Sequence, residues 1–189
     1  MDQSLESSLL AAVDTLESLN LTYAIVGGLA VSAWARPRST RDVDLYVEIP
    51  IECHAQLRRE LEVRGFDVPA ISEELQEFGV FRSKHGASGV FLDIFSATGP
   101  LGESILERRR QLVLGSHELW LISPEDLVLL KAFSERQRDF EDLVVLYGTG
   151  PSLDHGYIGL WAKMLDQSIG TSEVSDRIEQ ARAKLSHIK

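Results

Sequence analysis

The stretch from Tyr23 to Val47, YAIVGGLAVSAWARPRSTRDVDLYV, decides how this chain is expected to fold. Its first four residues form a short apolar run, which predicts a buried strand. Gly27 and Gly28 follow, and the residues up to Trp34 favour a short helix. Glycines let a backbone approach a ligand closely, and a helix N-terminus offers unpaired N–H groups. The stretch therefore predicts a cradle for a triphosphate, with a purely structural tight turn as the alternative.

Two aspartates, Asp42 and Asp44, flank Val43 at the start of a second, β-branched strand. Residues two apart on a strand point to the same face. Neighbouring carboxylates repel each other, so such a pair favours a bound cation. Mg²⁺ prefers carboxylate oxygens together with substrate phosphates. The pair therefore predicts a metal site, and a solvated pair at a strand end is the alternative.

A third carboxylate, Asp93, lies inside the strand-like run Val90 to Phe95. A charge among large hydrophobic side chains is costly unless it is paired or bound to a metal. If this strand lies beside the one that carries Asp42 and Asp44, three carboxylates converge. A salt bridge from Asp93 to an arginine of the core is the alternative.

The rest of the chain alternates helical and strand-like patterns around this segment. Further strands are predicted at 43–49, 78–83 and 118–122, and helices at 5–19, 51–64, 124–131 and 138–147. Gly148 to Pro151 breaks the chain, and two more helices separated near Gly170 follow. The prediction is an α+β fold, a small mixed sheet flanked by helices with a helical C-terminal tail. The expected domains are a core at 1–147 and an appendage at 152–189.

Composition excludes several classes of function. The 189 residues are 44% hydrophobic, which suits a globular core, and the formal net charge is −10. An acidic protein has no general attraction to a phosphate backbone or an anionic membrane, so an anionic substrate needs a local cationic or metal site. Cys53 is the only cysteine, so no internal disulfide can form. No signal peptide or membrane-spanning run is seen, and a cytoplasmic location without a membrane partner is expected.

These motifs together resemble the DNA polymerase β-like nucleotidyltransferase superfamily, above all its small bacterial members, the minimal nucleotidyltransferases and abortive-infection toxins. The resemblance covers roughly residues 20 to 146, and the order of its motifs is its strongest feature. The matching motifs are Gly27-Gly28, Arg38 to Asp44, Leu92-Asp93-Ile94, Ser123 to Leu127, Lys131, Arg136, Arg138, Asp139 and Asp142.

The resemblance implies a role for each matching residue. Asp42, Asp44 and Asp93 are expected to hold two Mg²⁺ ions, and Asp93 to help deprotonate the attacking hydroxyl. The residues expected to bind the nucleotide are Gly27, Gly28, Arg38, Thr40, Arg41 and Lys131. Two of these have structural alternatives, because Lys131 also suits an exposed helix face and Arg41 a weak local ion pair with Asp42. Many relatives have a serine at the position of Gly28, so only backbone N–H contacts to the phosphates are expected here.

The expected activity is transfer of a nucleoside monophosphate from an NTP to an acceptor hydroxyl, with RNA or protein among the acceptors. A toxin-like role implies an antitoxin partner or a second copy of the chain. The first alternative is a catalytically silent nucleotide-binding module of such a two-protein system. A binding domain without any nucleotide is the second. The basic run Arg108 to Arg110 is interpreted as a solvated helix end, with contact to an RNA acceptor as its functional alternative.

Overall fold

The computed structural model describes residues 2–69 and 80–186. In these ranges the α-helices are α1 (Gln3–Ser18), α2 (Gly27–Trp34), α3 (His54–Val63), α4 (Gly99–Glu107), α5 (Pro124–Phe133), α6 (Gln137–Thr149), α7 (His155–Ile169) and α8 (Glu173–Ser186). The strands are β1 (Tyr23–Ile25), β2 (Asp42–Val47), β3 (Phe66–Asp67), β4 (Val80–His85), β5 (Phe91–Ser96), β6 (Arg110–Leu114) and β7 (His117–Leu121). A short 3₁₀ turn, Ile51–Cys53, precedes α3. The first two residues of the strand predicted at 78–83 lie outside the described ranges.

The described strands form one mixed sheet in the order β3-β4-β5-β2-β1-β7-β6. The central pair, β2 and β5, is parallel, whereas β1 pairs antiparallel with β2 and parallel with β7. Hairpin-like antiparallel pairs, β3 with β4 and β6 with β7, close the two edges. The predicted α+β class with a small mixed sheet is confirmed.

One face of the central strands belongs to the hydrophobic core. Val43, Leu45 and Val47 of β2 are fully buried, and so are Leu92 and Ile94 of β5. Helix α1 packs against β2 and against α3. Because side chains alternate along a strand, burial of these positions turns the intervening residues of β2 and β5 to the opposite face. That opposite face carries the polar residues considered below.

The chain divides into two compact units. Unit 1 comprises Met1–Leu29 and Ser39–Ile122 and contains the whole sheet. Unit 2 comprises Ala30–Arg38 and Ser123–Lys189 and contains α5 to α8. The boundary predicted at 147–152 falls within unit 2, and the division into a core and an appendage stays a prediction.

Three described elements have no predicted range: α4, β3 and β6. The helix end predicted at the basic run is found at Arg108, which follows the last residue of α4, whereas Arg110 begins β6. Arg109 donates a hydrogen bond to the carbonyl of Leu106, and its guanidinium lies 4.6 Å from the centre of the Trp120 ring. Across residues 2–69 and 80–186, no helix is both long enough and apolar enough to cross a membrane.

Candidate active site

The three predicted carboxylates lie on one face of the sheet in unit 1. Asp44 of β2 is the register partner of Asp93 in the parallel neighbour β5. Asp42 precedes Asp44 by two residues and therefore points to the same face. Paired positions on adjacent strands are about 5 Å apart. The fold thus brings together the residues that the sequence predicted to converge, here called the carboxylate triad.

A fourth charged residue on this face, Arg82 of β4, was not expected from the sequence. It is the register partner of Asp93 on the other side of β5. Its Nε and Nη2 atoms donate to the two carboxylate oxygens of Asp93 at 2.7 and 3.0 Å, and Nη2 lies 3.9 Å from Oδ2 of Asp42. Asp93 thus forms a salt bridge, but its partner is a half-exposed arginine and not the arginine of the core that the alternative named. Only the strand register reveals it, since Arg82 and Asp93 are eleven residues apart.

All three carboxylates influence the charge of Arg82. The hydrogen bond from Arg82 to Asp93 raises the pKa of the guanidinium despite some desolvation, and the charges of Asp93, Asp42 and Asp44 raise it further. The side chain of Asp93 is only 14% exposed, whereas those of Asp42 and Arg82 are 41% and 54% exposed. Asp93 is thus the most enclosed partner in this ion-pair network, and the Arg82 head group remains accessible to water.

The predicted phosphate cradle also lies in unit 1. Strand β1 ends at Ile25 and α2 begins at Gly27, which has a φ of +61° in the left-handed region. A Cβ atom placed on Gly27 would lie 2.0 Å from Oδ2 of Asp44. The helix N-terminus is therefore packed directly against a member of the carboxylate triad, and only glycine fits there.

Three other residues that are predicted to bind the nucleotide, Gly28, Thr40 and Arg41, lie in different environments. Gly28 is buried in the first turn of α2. Thr40 donates a long hydrogen bond of 3.4 Å to the backbone carbonyl of Asp42. Arg41, directly before β2, is exposed.

Lys131 and Arg38 belong to unit 2, where both contact acidic residues of α6. Lys131 is buried, which excludes the alternative of an exposed helix face. Its Nζ bonds Asp139 and lies 3.0 Å from Asp142. Arg38 Nη1 donates to both oxygens of Asp142 at 2.6 Å. These four residues are here called the ion-pair cluster, and a nucleotide-binding role for its two cations stays a prediction.

The chemistry of the triad fits a divalent cation. Its donors are carboxylate oxygens, which Mg²⁺ prefers, and Gly27 lets the N-terminus of α2 pack directly against Asp44. Among the described residues, no group of three or more His, Cys, Asp or Glu side chains is already arranged as a metal site. In this structure the cation in contact with Asp93 is the Arg82 guanidinium.

Comparison with known proteins bears on the fold. No protein-family model matches this chain, and no curated protein matches it significantly in sequence. Among solved structures, the lincosamide antibiotic adenylyltransferase LnuA with bound lincomycin superposes with a TM-score of 0.55 at 18% identity, covering 75% of this chain and 96% of the other. The antibiotic-resistance factor ANT(2″)-Ia superposes with a TM-score of 0.52 at 18% identity, covering 100% and 96%. The chain therefore has the nucleotidyltransferase fold that its resemblance to the DNA polymerase β-like superfamily implies.

Proposed function

We propose that the protein is a Mg²⁺-dependent nucleotidyltransferase that moves a nucleoside monophosphate from an NTP to an acceptor hydroxyl. The observation that carries this proposal is the in-register pairing of Asp44 with Asp93, with Asp42 on the same face. Two neighbouring carboxylates next to a glycine-led helix N-terminus suit a triphosphate and its counter-ion. The similarity of fold to two nucleotidyltransferase structures supports the same reaction class.

Different residues of unit 1 would bind the phosphates and the metal ions in this reaction. The N–H groups at the start of α2 would bind phosphate oxygens, because Gly27 brings that backbone beside Asp44. Asp42, Asp44 and Asp93 would hold the Mg²⁺ ions. When bound, these ions would neutralise charge on the attacking and leaving oxygens.

The bond changes balance without a further reactant. The acceptor oxygen forms a bond to the α-phosphorus, the bond from that phosphorus to the bridging oxygen breaks, and pyrophosphate leaves. We assign the proton of the acceptor hydroxyl to a carboxylate oxygen of Asp93, whose side chain is 14% exposed against 41% for that of Asp42. Positioning and charge stabilisation supply most of the catalysis in such a transfer.

Several classes of acceptor are compatible with this proposal. One neighbour in fold is a lincosamide antibiotic adenylyltransferase and another is an antibiotic-resistance factor, so small hydroxylated antibiotics join RNA and protein as acceptors to test. An antitoxin-type partner or a second copy of the chain stays a prediction from the resemblance.

One observation favours the catalytically silent alternative. Asp93 is engaged by Arg82 through two hydrogen bonds, and a permanent ion pair would leave this carboxylate without a catalytic role. In that case the protein binds an NTP and transfers nothing.

The test is incubation of the full chain with each labelled NTP, Mg²⁺, and total RNA, protein extract or a panel of hydroxylated antibiotics. We expect label on one acceptor class, and loss of transfer by roughly a hundredfold or more in Asp44→Asn, which weakens metal capture. Glu48→Gln is the matched control, since it neutralises an exposed carboxylate just beyond the end of β2. NTP binding by calorimetry with no labelled acceptor would favour the silent module, and equal transfer by Asp44→Asn would refute the catalytic assignment.

A further inference from the structure

Arg82 occupies a position that the proposed chemistry does not explain. It lies beside Asp93 in the sheet register, on the same face as the carboxylate triad. Both its Nε and Nη2 atoms bind Asp93, and Nη2 also faces Asp42 at 3.9 Å. One guanidinium thus contacts two carboxylates that are assigned to the metal, from two different strands.

The contact between Arg82 and the triad affects the charge balance of the site. Three carboxylates on one face repel each other, and a cation among them relieves that repulsion. In this structure, Arg82 supplies a positive charge at the place where the metal ligands converge. A carboxylate oxygen that accepts a hydrogen bond from Arg82 has one lone pair fewer for a metal ion. Arg82 and the metal therefore compete for Asp93.

The surroundings of Arg82 let it leave this contact. Its side chain is 54% exposed, and its guanidinium carbon lies 4.8 Å from the centre of the Phe91 ring. Phe91 is itself 37% exposed. A guanidinium over an aromatic face is held by a cation–π contact that needs no carboxylate. Arg82 therefore has a contact that does not depend on Asp93, and its exposure leaves the guanidinium accessible to water.

We propose that Arg82 is a positioning residue that substitutes for the metal in the metal-free protein, where it holds Asp93 and Asp42. Arg82 must release Asp93 when Mg²⁺ binds. This inference rests on the proposed function, because that function assigns the triad to the metal. In the metal-free protein Arg82 keeps the carboxylates in position, and it lowers their affinity for a lone metal ion.

The test measures binding of the metal alone to the full chain, without any nucleotide. Free Mn²⁺ is followed by electron paramagnetic resonance for the wild type, Arg82→Met and Arg82→Lys. We expect Arg82→Met to bind Mn²⁺ roughly three- to tenfold more tightly, the range expected when one half-exposed ion pair no longer competes. Arg82→Lys, which retains the charge, is expected to stay closer to the wild type. In EDTA, Arg82→Met is expected to melt below the wild type and to recover on addition of Mn²⁺.

Lys84 provides the matched control, since it lies two residues further on β4, on the same face, and contacts the Phe91 ring at 5.5 Å. Lys84→Met removes a positive charge from the same strand, and we expect it to change Mn²⁺ affinity by less than about twofold because an exposed, more distant charge is screened. An equal gain in Mn²⁺ affinity in Lys84→Met would show that the effect comes from the net charge of the strand and not from the contact between Arg82 and Asp93.

The outcomes separate this inference from the proposed function. Equal Mn²⁺ affinity in folded wild-type and Arg82→Met proteins overturns the role of Arg82 and leaves the metal site standing. If neither protein binds Mn²⁺, both the metal site and this inference fall. Should Arg82→Met not fold, Arg82→Gln keeps a hydrogen-bond donor without the charge, and tighter Mn²⁺ binding is required of it as well.

Discussion

Gly27 is the single residue on which the geometry of the site depends most directly. Its φ of +61° lies in the left-handed region, and a Cβ atom there would meet the Asp44 carboxylate at 2.0 Å. The first constraint disfavours every L side chain, and the second is specific to the site. The pair of glycines in the sequence indicated a tight turn, but its contact with Asp44 depends on how β1 and β2 pair.

Gly27→Ala is expected to weaken metal and NTP binding because the new methyl group displaces the Asp44 carboxylate. The backbone strain adds a loss of about 1 to 2 kcal/mol in the free energy of unfolding. Urea unfolding and Mn²⁺ titration measure the two effects separately. Gly115→Ala is the matched control, since Gly115 has a φ of +60° and no atom within 4 Å of its added Cβ. Equal Mn²⁺ affinity in Gly27→Ala would show that Asp44 is not a ligand.

At the scale of elements, the sequence predicted the strands of the site and could not predict their neighbours. The spacing of Asp42 and Asp44 follows from the period of a strand, so their shared face was predictable. The pairing of Arg82 with Asp93 depends on the register of β4 on β5, which a single sequence does not determine. Weak local signals explain the missed elements: β3 has two residues, and Gly99 and Gly102 disfavour the helix that α4 forms.

The ion-pair cluster shows the same limit within unit 2. In the sequence, the cations nearest to Asp139 and Asp142 are Arg136 and Arg138. In the structure Asp142 binds Arg38, which is 104 residues away, and Lys131 of α5 bonds both aspartates. Contacts of that separation follow from packing of helices, and helical periodicity alone does not reveal them.

The ion-pair cluster predicts an acid-sensitive contribution to stability. Burial raises the pKa of the Asp139 carboxyl, but hydrogen bonds from Lys131 and Ser134 and the charge of Lys131 outweigh it and lower the pKa below its ordinary value. A lowered pKa means that this stabilisation is present above the unfolded pKa of about 3.9 and is lost as the pH falls through the folded value. Asp139→Asn is expected to reduce the free energy of unfolding by about 2 to 4 kcal/mol at neutral pH, since it leaves buried Lys131 to share the single carboxylate of Asp142 with Arg38.

Chemical denaturation from pH 7 to pH 3 measures this dependence. The difference in the free energy of unfolding between wild type and Asp139→Asn should be constant above about pH 5 and should shrink below about pH 4. Glu141→Gln, at an exposed position of the same helix, should show neither effect. A difference that persists unchanged at pH 3 would mean that Asp139 stabilises α6 without its charge.

At the scale of the whole molecule, the fold class was predictable and the division into compact units was not. The order of helices and strands indicated a mixed sheet flanked by helices, which the structure confirms. The compact units cut across that order, because Ala30–Arg38 clusters with Ser123–Lys189. A segment of nine residues carries no signal of composition that would assign it to one unit or the other.

The last prediction links the carboxylate triad to the stability of the whole chain. A ligand that binds the folded protein at a hundred times its Kd adds about 2.7 kcal/mol to the free energy of unfolding, roughly 5 to 11 °C in Tm for a chain of this size. We therefore expect Mg²⁺ with a non-hydrolysable NTP analogue to raise the Tm of the wild type by this amount and to leave the Tm of Asp42→Asn unchanged.

The metal-free Tm of Asp42→Asn decides between the two roles of this residue. Removal of one carboxylate from the triad relieves repulsion, whereas loss of the 3.9 Å contact with Arg82 costs little because both side chains are largely exposed. Repulsion is the larger effect, so the Tm in EDTA should equal or exceed that of the wild type. Calorimetry that gives a lower metal-free Tm together with undiminished binding of Mg²⁺ and the analogue would make Asp42 a structural partner of Arg82. The catalytic assignment of Asp42 would then be withdrawn, and metal binding would fall to Asp44 and Asp93, which the register of β2 and β5 holds side by side.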